Sequence, residues 1–328
     1  MDFNGIIGQQ QVVGSLKRAL AEDRIGHAYI FTGPAGIGKK TIAHRFAGLL
    51  LCENPQSGTT CGKCRACLLC ENDSNPDYHR IHTEENSIGV DRIRAIQADV
   101  AIRPLYSRRK VYLIEDAGKM TDQAQNCLLK TFEEPPAYVV VILLAENYEM
   151  LLETIRSRAQ RLNFRKYTHD QVCQALFEKY GRHNGMLELA AGYSDGNIGL
   201  ALELAGSGEF TLLRDRTLEL LAGVAEGRME NVLSFSSFLE ENKDSADLLL
   251  DTMLLYYRDL LVACETGNEN MLINSDKKDM IINNARRYRS SRLLENIGAI
   301  GATRRALKQN ANYQLAIENM LIKLREVH

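Results

Sequence analysis

The sequence predicts an α/β domain built on a parallel sheet, followed by helices alone. Three observations predict it. Short apolar runs alternate with amphipathic segments through the first half; one run opens directly into a glycine-rich loop and a helix; and the strand signal stops near residue 166. "AYIFTG" (28–33), "KVYLIED" (110–116) and "YVVVILLA" (138–145) are rich in Val, Ile, Leu and Tyr and read as buried strands. Between them "KTIAHRFAGLLL" and "TDQAQNCLLKTFEE" read as helices, with Thr121 as the N-cap of the second and Pro135 and Pro136 at its end. Strands alternating with helices call for a parallel sheet covered on both faces.

Beyond residue 166 the pattern is helical. "HDQVCQALFEKYG" reads as one helix, and "GMLELAAGYSDGNIGLALELAG" breaks twice at glycines. A long helical tract follows "GSGEF", interrupted near "ETGNENM" and "INSDKK". The last helix, "YQLAIENMLIKLREV", places Leu315, Met320, Leu321 and Leu324 on one face. Three units are expected: an α/β domain over 1–165, a small helical domain over 166–207 and a larger helical domain over 208–328.

The 328 residues are 45% hydrophobic and 25% charged, and 40 basic against 42 acidic side chains leave a net charge of -2. No global positive field exists, so any contact with nucleic acid must come from a local patch or from partner chains. There is no basic start followed by an apolar core, and no apolar run reaches the roughly 18 residues of a membrane span. A cytoplasmic protein without membrane contact is expected, and clustered thiols there point to a metal more than to disulfides.

The stretch "HAYIFTGPAGIGKKTIAHRFA" (27–47) nearly matches the phosphate-binding pattern G-x-x-x-x-G-K-[ST]. Gly33, Gly36 and Gly38 would let backbone N–H groups turn inward around phosphate, the helix N-terminus adds positive potential, and Lys39 would reach the outer phosphates. The next position normally supplies a hydroxyl to magnesium, yet it holds Lys40, whose ammonium repels a dication. Thr41 comes one step late, about 100° further round the helix. The acidic strand end departs in the same way: an Asp that orients magnesium, then a Glu, would be expected, whereas "VYLIED" ends in Glu115 and Asp116. ATP or ADP remain candidate occupants of this loop, with hydrolysis not expected.

Residues 52–70 read "CENPQSGTTCGKCRACLLC". Cys61, Cys64 and Cys67 are spaced C-x2-C-x2-C, with Cys52 upstream, a spacing that suits thiolates on one tetrahedral zinc. Cys70 makes five thiols for four positions; an iron–sulfur cluster or a free-thiol loop are the alternatives. Four thiolates close the shell, so the metal's expected role is structural. Cys127, Cys173 and Cys264 sit singly in helical patterns and read as core thiols.

Taken together these segments resemble the clamp-loader branch of the AAA+ proteins, and within it the delta-prime subunits of bacterial DNA polymerase III. The likeness runs from "GIIGQQQVVGSLKRAL" through the phosphate loop, the cysteine knob, "PDYHRI" and "IGVDRIRAI". It is densest in "KVYLIEDAGKMTDQAQNCLLKTFEEPP" and "TIRSRAQ", and returns in "NANYQLAIENMLIKL". It implies an AAA+ P-loop domain, a helical lid and an all-α collar through which five subunits assemble. The implied partners are tau/gamma motor subunits, a delta subunit, a sliding clamp and, through the complex, primed DNA.

The resemblance also assigns roles. Each ATP at a subunit boundary needs an arginine from the neighbour, carried in a Ser-Arg-Cys motif; Ser157 and Arg158 match it, with Ala159 in place of the cysteine. Such a finger stabilises transition-state charge. Motor subunits carry a Sensor 2 arginine in G-x-x-R-x-A-L, and here "GNIGLAL" has Gly199 at that place. A stator subunit without ATPase activity of its own is therefore expected. The alternatives are an active motor subunit, favoured by Lys39 and the glycines, and a zinc-dependent nucleic-acid module, disfavoured by few basic residues near the knob (Lys63, Arg65). The helix at "IGVDRIRAI" and the loop at 103–109 are, by position, candidates for clamp contact.

Overall fold

The computed structural model describes residues 2–56, 58–181 and 185–325. Residues 326 and 327, within the expected last helix, lie outside them. The chain divides into two compact units, Met1–Ala175 with Gly196–Gly199, and Leu176–Asp195 with Leu200–His328.

The first unit holds a five-stranded parallel sheet ordered β2-β3-β4-β1-β5, formed by β1 (Ala28–Thr32), β2 (Tyr78–Ile81), β3 (Lys110–Ile114), β4 (Val139–Ala145) and β5 (Gln160–Asn163). β1, β3 and β4 are buried at every position, as continuous apolar runs demand in a covered parallel sheet. β2 (YHRI) and β5 (QRLN) are edge strands of half-polar sequence, which is why an apolar-run criterion passes over them. Around the sheet lie α1 (Gln10–Ala21), α2 (Lys39–Leu51), α3 (Arg65–Glu71), α4 (Val90–Val100), α5 (Asp122–Glu133) and α6 (Glu153–Arg156). The Thr121 hydroxyl accepts the Ala124 N–H, so it caps α5 as the sequence indicates. The helix stops at Glu133 because the residue before a proline is pushed out of helical geometry. α4 and α5 close one face of the sheet through a continuous cluster that includes Ile93, Leu128, Tyr112 and Val141.

α7 (His169–Tyr180) and α9 (Ile198–Gly206) each run from one unit into the other, and α8 (Gly185–Tyr193) belongs to the second. That unit continues with α10 (Gly208–Val224), α11 (Met229–Glu241), α12 (Ala246–Thr266), α13 (Lys278–Ala285), α14 (Ser290–Lys308) and α15 (Tyr313–Arg325). Gly267, at φ 62, ends α12 in the left-handed conformation that glycine tolerates. One apolar core joins α10 to α15, with Leu249, Met253, Tyr257 and Leu321 inside. The buried face of α15 is Ile317, Met320, Leu321 and Leu324. This corrects the expectation for Leu315, which is 66% exposed: the i, i+3, i+4, i+7 stripe starts at Ile317. No described helix is long and apolar enough to cross a membrane.

Candidate functional site

The phosphate-type loop leaves the C-terminal end of β1. Gly33 has φ 149, and a Cβ there would sit 2.7 Å from the Phe164 carbonyl oxygen. Gly38, at φ 86, is the N-cap of α2. The lysine is folded back on the loop: Lys39 Nζ donates to the Gly33 and Pro34 carbonyl oxygens at 2.5 and 2.6 Å. Burial lowers its pKa, opposed by the charges of Glu146 and Asp116. A short segment of the same unit engages the loop from outside. Asn197 Nδ2 donates to the Ala35 carbonyl at 3.0 Å, and the Gly199 N–H donates to the Gly36 carbonyl at 3.0 Å. Gly36, at φ 67, has no room for a Cβ because the Asn197 amide fills that place. The sequence carries the motif of this segment but no sign that it touches the loop.

The two departures from the pattern meet. Lys40 Nζ, on the first turn of α2, lies 2.7 Å from Glu115 Oε2 at the end of β3. Glu115 is nearly buried, with 8% of its side chain exposed, and the Arg80 guanidinium at 3.4 Å and the His82 imidazole at 3.6 Å also face it. Arg80 and His82 follow from the pairing of edge strand β2 with β3, which sequence reasoning did not find. Asp116 turns away in left-handed backbone (φ 50) and pairs with Lys119 at 3.4 Å, while Thr41 is exposed. Chemically, the result is an ammonium–carboxylate pair joining the first turn of α2 to the end of β3.

Arg158 lies elsewhere. It follows α6 and precedes β5, and β5 pairs with β1 in the register Tyr29↔Gln160. Arg158 therefore sits beside the N-terminal end of β1, while the loop leaves the C-terminal end, a strand of about 17 Å away at ~3.3 Å per residue. Its guanidinium pairs with Glu133 at 3.2 Å and donates to the Thr154 carbonyl at 3.1 Å; 39% of the side chain is exposed.

In the cysteine knob, Cys52 caps the end of α2, Cys64 is the N-cap of α3 and Cys67 lies in its first turn. Their sulfurs and that of Cys61 lie within 4.8 Å of one another, with Cys61 and Cys67 at 4.0 Å. Tetrahedral zinc at ~2.3 Å from each sulfur requires separations of about 3.8 Å, so the set needs only a small contraction. Backbone N–H groups point at the sulfurs: Cys61 N at Cys52, Cys64 N at Cys61 and Cys67 N at Cys64, at 3.3–3.4 Å. N–H groups of Lys63 and Cys64 pull the Cys61 thiol down to about 6, while burial pushes the Cys52 and Cys67 thiols up. The donor chemistry and spacing fit a metal of zinc type. Cys70 is not among these four; it accepts from Asn75 Nδ2 at 3.3 Å. The core-thiol expectation fails for Cys264, which is exposed beside Ser290, and Cys127 and Cys173 are only partly buried. Cys127 and Cys173 sit at the rims of their helices' apolar stripes, and Cys264 continues the stripe of α12 beyond Leu260, its last buried residue.

Two family profiles match. One, described as DNA polymerase III, delta subunit, covers residues 8–168, and the other, DNA polymerase III, delta subunit, C terminal, covers 213–326. The DNA polymerase III subunit delta' of Bacillus subtilis is 31% identical over 323 residues, 97% of this chain and 96% of that protein. The subunit tau of the same bacterium is 31% identical over 282 residues, 79% of this chain but 50% of its own length. A crystal structure of a DNA polymerase III gamma subunit-related protein from Thermotoga maritima superposes with a TM-score of 0.51 at 20% identity, covering 96% of this chain and 98% of that one, a likeness of fold.

Proposed function

Because the chain belongs to the delta' family of clamp-loader subunits of bacterial DNA polymerase III, we propose that it is the stator of its complex: a subunit that assembles with tau/gamma motors and a delta subunit, helps load a sliding clamp on primed DNA, and turns over no ATP itself. The observation that carries this reading is the Lys40–Glu115 ion pair. Both magnesium-handling positions are altered, and the two altered residues neutralise one another. Gly199, where a motor carries its Sensor 2 arginine, instead holds the loop's Gly36 carbonyl through its N–H.

In this reading Arg158 serves a neighbour. It stands at the end of β1 remote from its own loop, so its guanidinium is free to act only across a subunit boundary, where it would stabilise charge on another chain's transferring phosphate. Glu133 holds it meanwhile in a surface pair worth at most about 1 kcal/mol, which a phosphate readily outcompetes. Cys52, Cys61, Cys64 and Cys67 would hold a structural zinc, which supplies no open coordination position and hence no step in the chemistry. The division at residues 165 and 207 into P-loop, lid and collar domains belongs to the same proposal.

The test is Arg158→Ala in the reconstituted complex. Assembly should persist while DNA-stimulated ATP turnover at the boundary it serves falls about 10³-fold or more; unchanged turnover rejects the finger. The intact Gly33, Gly38 and Lys39 favour a motor as the second reading, and magnesium-dependent hydrolysis by the isolated chain would select it.

A further inference from the structure

The cysteine knob does more than close on itself. Asp77 is 1% exposed, and its carboxylate accepts three consecutive backbone N–H groups, those of Leu105 (2.6 Å), Tyr106 (2.8 Å) and Ser107 (2.8 Å). Its own carbonyl accepts the Val111 N–H, which ties it to the start of β3. Asn75, 5% exposed, connects this anchor to the knob: Oδ1 accepts the Asp77 N–H at 2.9 Å, and Nδ2 donates to the Ala66 carbonyl of α3 at 3.1 Å. A second tie is Arg65, between Cys64 and Cys67 on α3, whose guanidinium lies 4.2 Å from the centre of the Tyr106 ring. The loop so held turns Ile102 and Leu105 outward, 62% and 67% exposed, flanked by exposed Arg103 and Arg108.

We propose that the knob is a mount for the 102–108 loop. α3 has seven residues, too few to be stable on its own. Its place is set by Cys64 at its N-cap and Cys67 in its first turn, so a metal bound there fixes α3. α3 in turn fixes the loop through Arg65 and through Asn75. Three N–H groups on one buried carboxylate position the loop's backbone so that two apolar side chains face solvent without collapsing onto the sheet. Such an arrangement gives the loop one conformation in the folded chain, because the entropy of ordering it is lost in folding. The metal's part in this rests on the zinc reading above; the Arg65 and Asp77 ties do not.

Amide hydrogen exchange of the full chain, with zinc content measured alongside, tests it. In Arg65→Ala, which keeps all four thiols, zinc should stay at one per chain while the amides of 105–107 exchange about tenfold faster and those of β3 do not change. Cys61→Ser with Cys64→Ser should lose zinc and accelerate the same amides further, and Asp77→Asn should release them with zinc retained. Unchanged exchange at 105–107 in Arg65→Ala overturns the mount, whatever happens in the cysteine variant. A chain that purifies without zinc and takes none up when zinc is added overturns the metal reading instead.

Discussion

Lys40→Thr replaces an ammonium with the hydroxyl that the phosphate-loop pattern expects, and its effect follows from the geometry at Glu115. Glu115, whose Oε2 the Lys40 ammonium holds at 2.7 Å, would be the carboxylate offered to a magnesium ion there, so the two cations would compete at a separation on the order of 4 Å. The repulsion of a dication and an ammonium at that distance is about 8 kcal/mol at an effective dielectric of 20 and about 2 kcal/mol in bulk water. Lys40 is 51% exposed and can swing outward, so the lower figure applies. Two kcal/mol is roughly a 30-fold change in affinity. Magnesium should therefore not tighten ATP binding by the unaltered chain, and in Lys40→Thr it should do so by about that factor. Turnover should stay absent in both, since Gly199 supplies no arginine. Calorimetric titration with ATP, with and without magnesium, paired with phosphate release, makes the comparison. Magnesium-dependent hydrolysis by the unaltered chain, abolished in Lys39→Ala, would refute the reasoning and make this a motor.

Three further outcomes are expected. Gly199→Arg should not restore a nucleotide site: its Cβ would meet the Gly36 carbonyl oxygen at 2.9 Å and Cα at 3.1 Å, both backbone. The strain should show as about 1–3 kcal/mol lost in urea unfolding, and a fully stable variant would disprove it. Asn274→Ala removes the acceptor shared by Tyr193 OH (2.8 Å) and Arg214 Nε (3.0 Å) in the helical unit, leaving two buried donors unpaired. About 3 kcal/mol should be lost, and less than 1 would mean that water replaces the amide. Asp99 provides a pH test. Burial would raise its carboxyl, but hydrogen bonds from Lys110 and Tyr112, with the charge of His79, prevail and hold it below the usual carboxylate range. A depressed folded-state pKa gives stability that is complete above the unfolded value of about 3.9 and disappears as pH falls through the folded one. Lys110→Met should flatten that acid limb of the stability curve without changing its sign elsewhere.

How much of this was legible in advance differs from element to element. β1, β3 and β4 could be read because a strand buried on both faces is apolar along nearly all of its length, a property of the strand's own residues. β2 and β5 could not, because an edge strand needs only one neighbour and tolerates His, Arg and Gln. The apolar stripe of the last helix was legible in kind and misplaced at one end, since Leu315 fits the composition of the stripe but not its angle. The set Cys52, Cys61, Cys64 and Cys67 was legible from spacing, and its four sulfurs lie together; that Cys70 turns instead to Asn75 depends on how α3 packs.

The sequence by itself determined the glycine loop with Lys39, the substitution of Lys40 for a hydroxyl, the reversed acidic pair, the four-thiol chemistry and the Ser157–Arg158 motif. Each is a matter of which group stands at which spacing along a strand, turn or helix, and such spacing is written locally. Only the tertiary structure decided that Lys40 and Glu115 neutralise one another, that Arg80 and His82 join them, that Asn197 and Gly199 seal the loop's carbonyls, and that Asp77 and Arg65 tie the knob to an apolar loop. Those contacts join residues 28 to 163 positions apart, and a charge or amide carries no local mark of the partner it will meet.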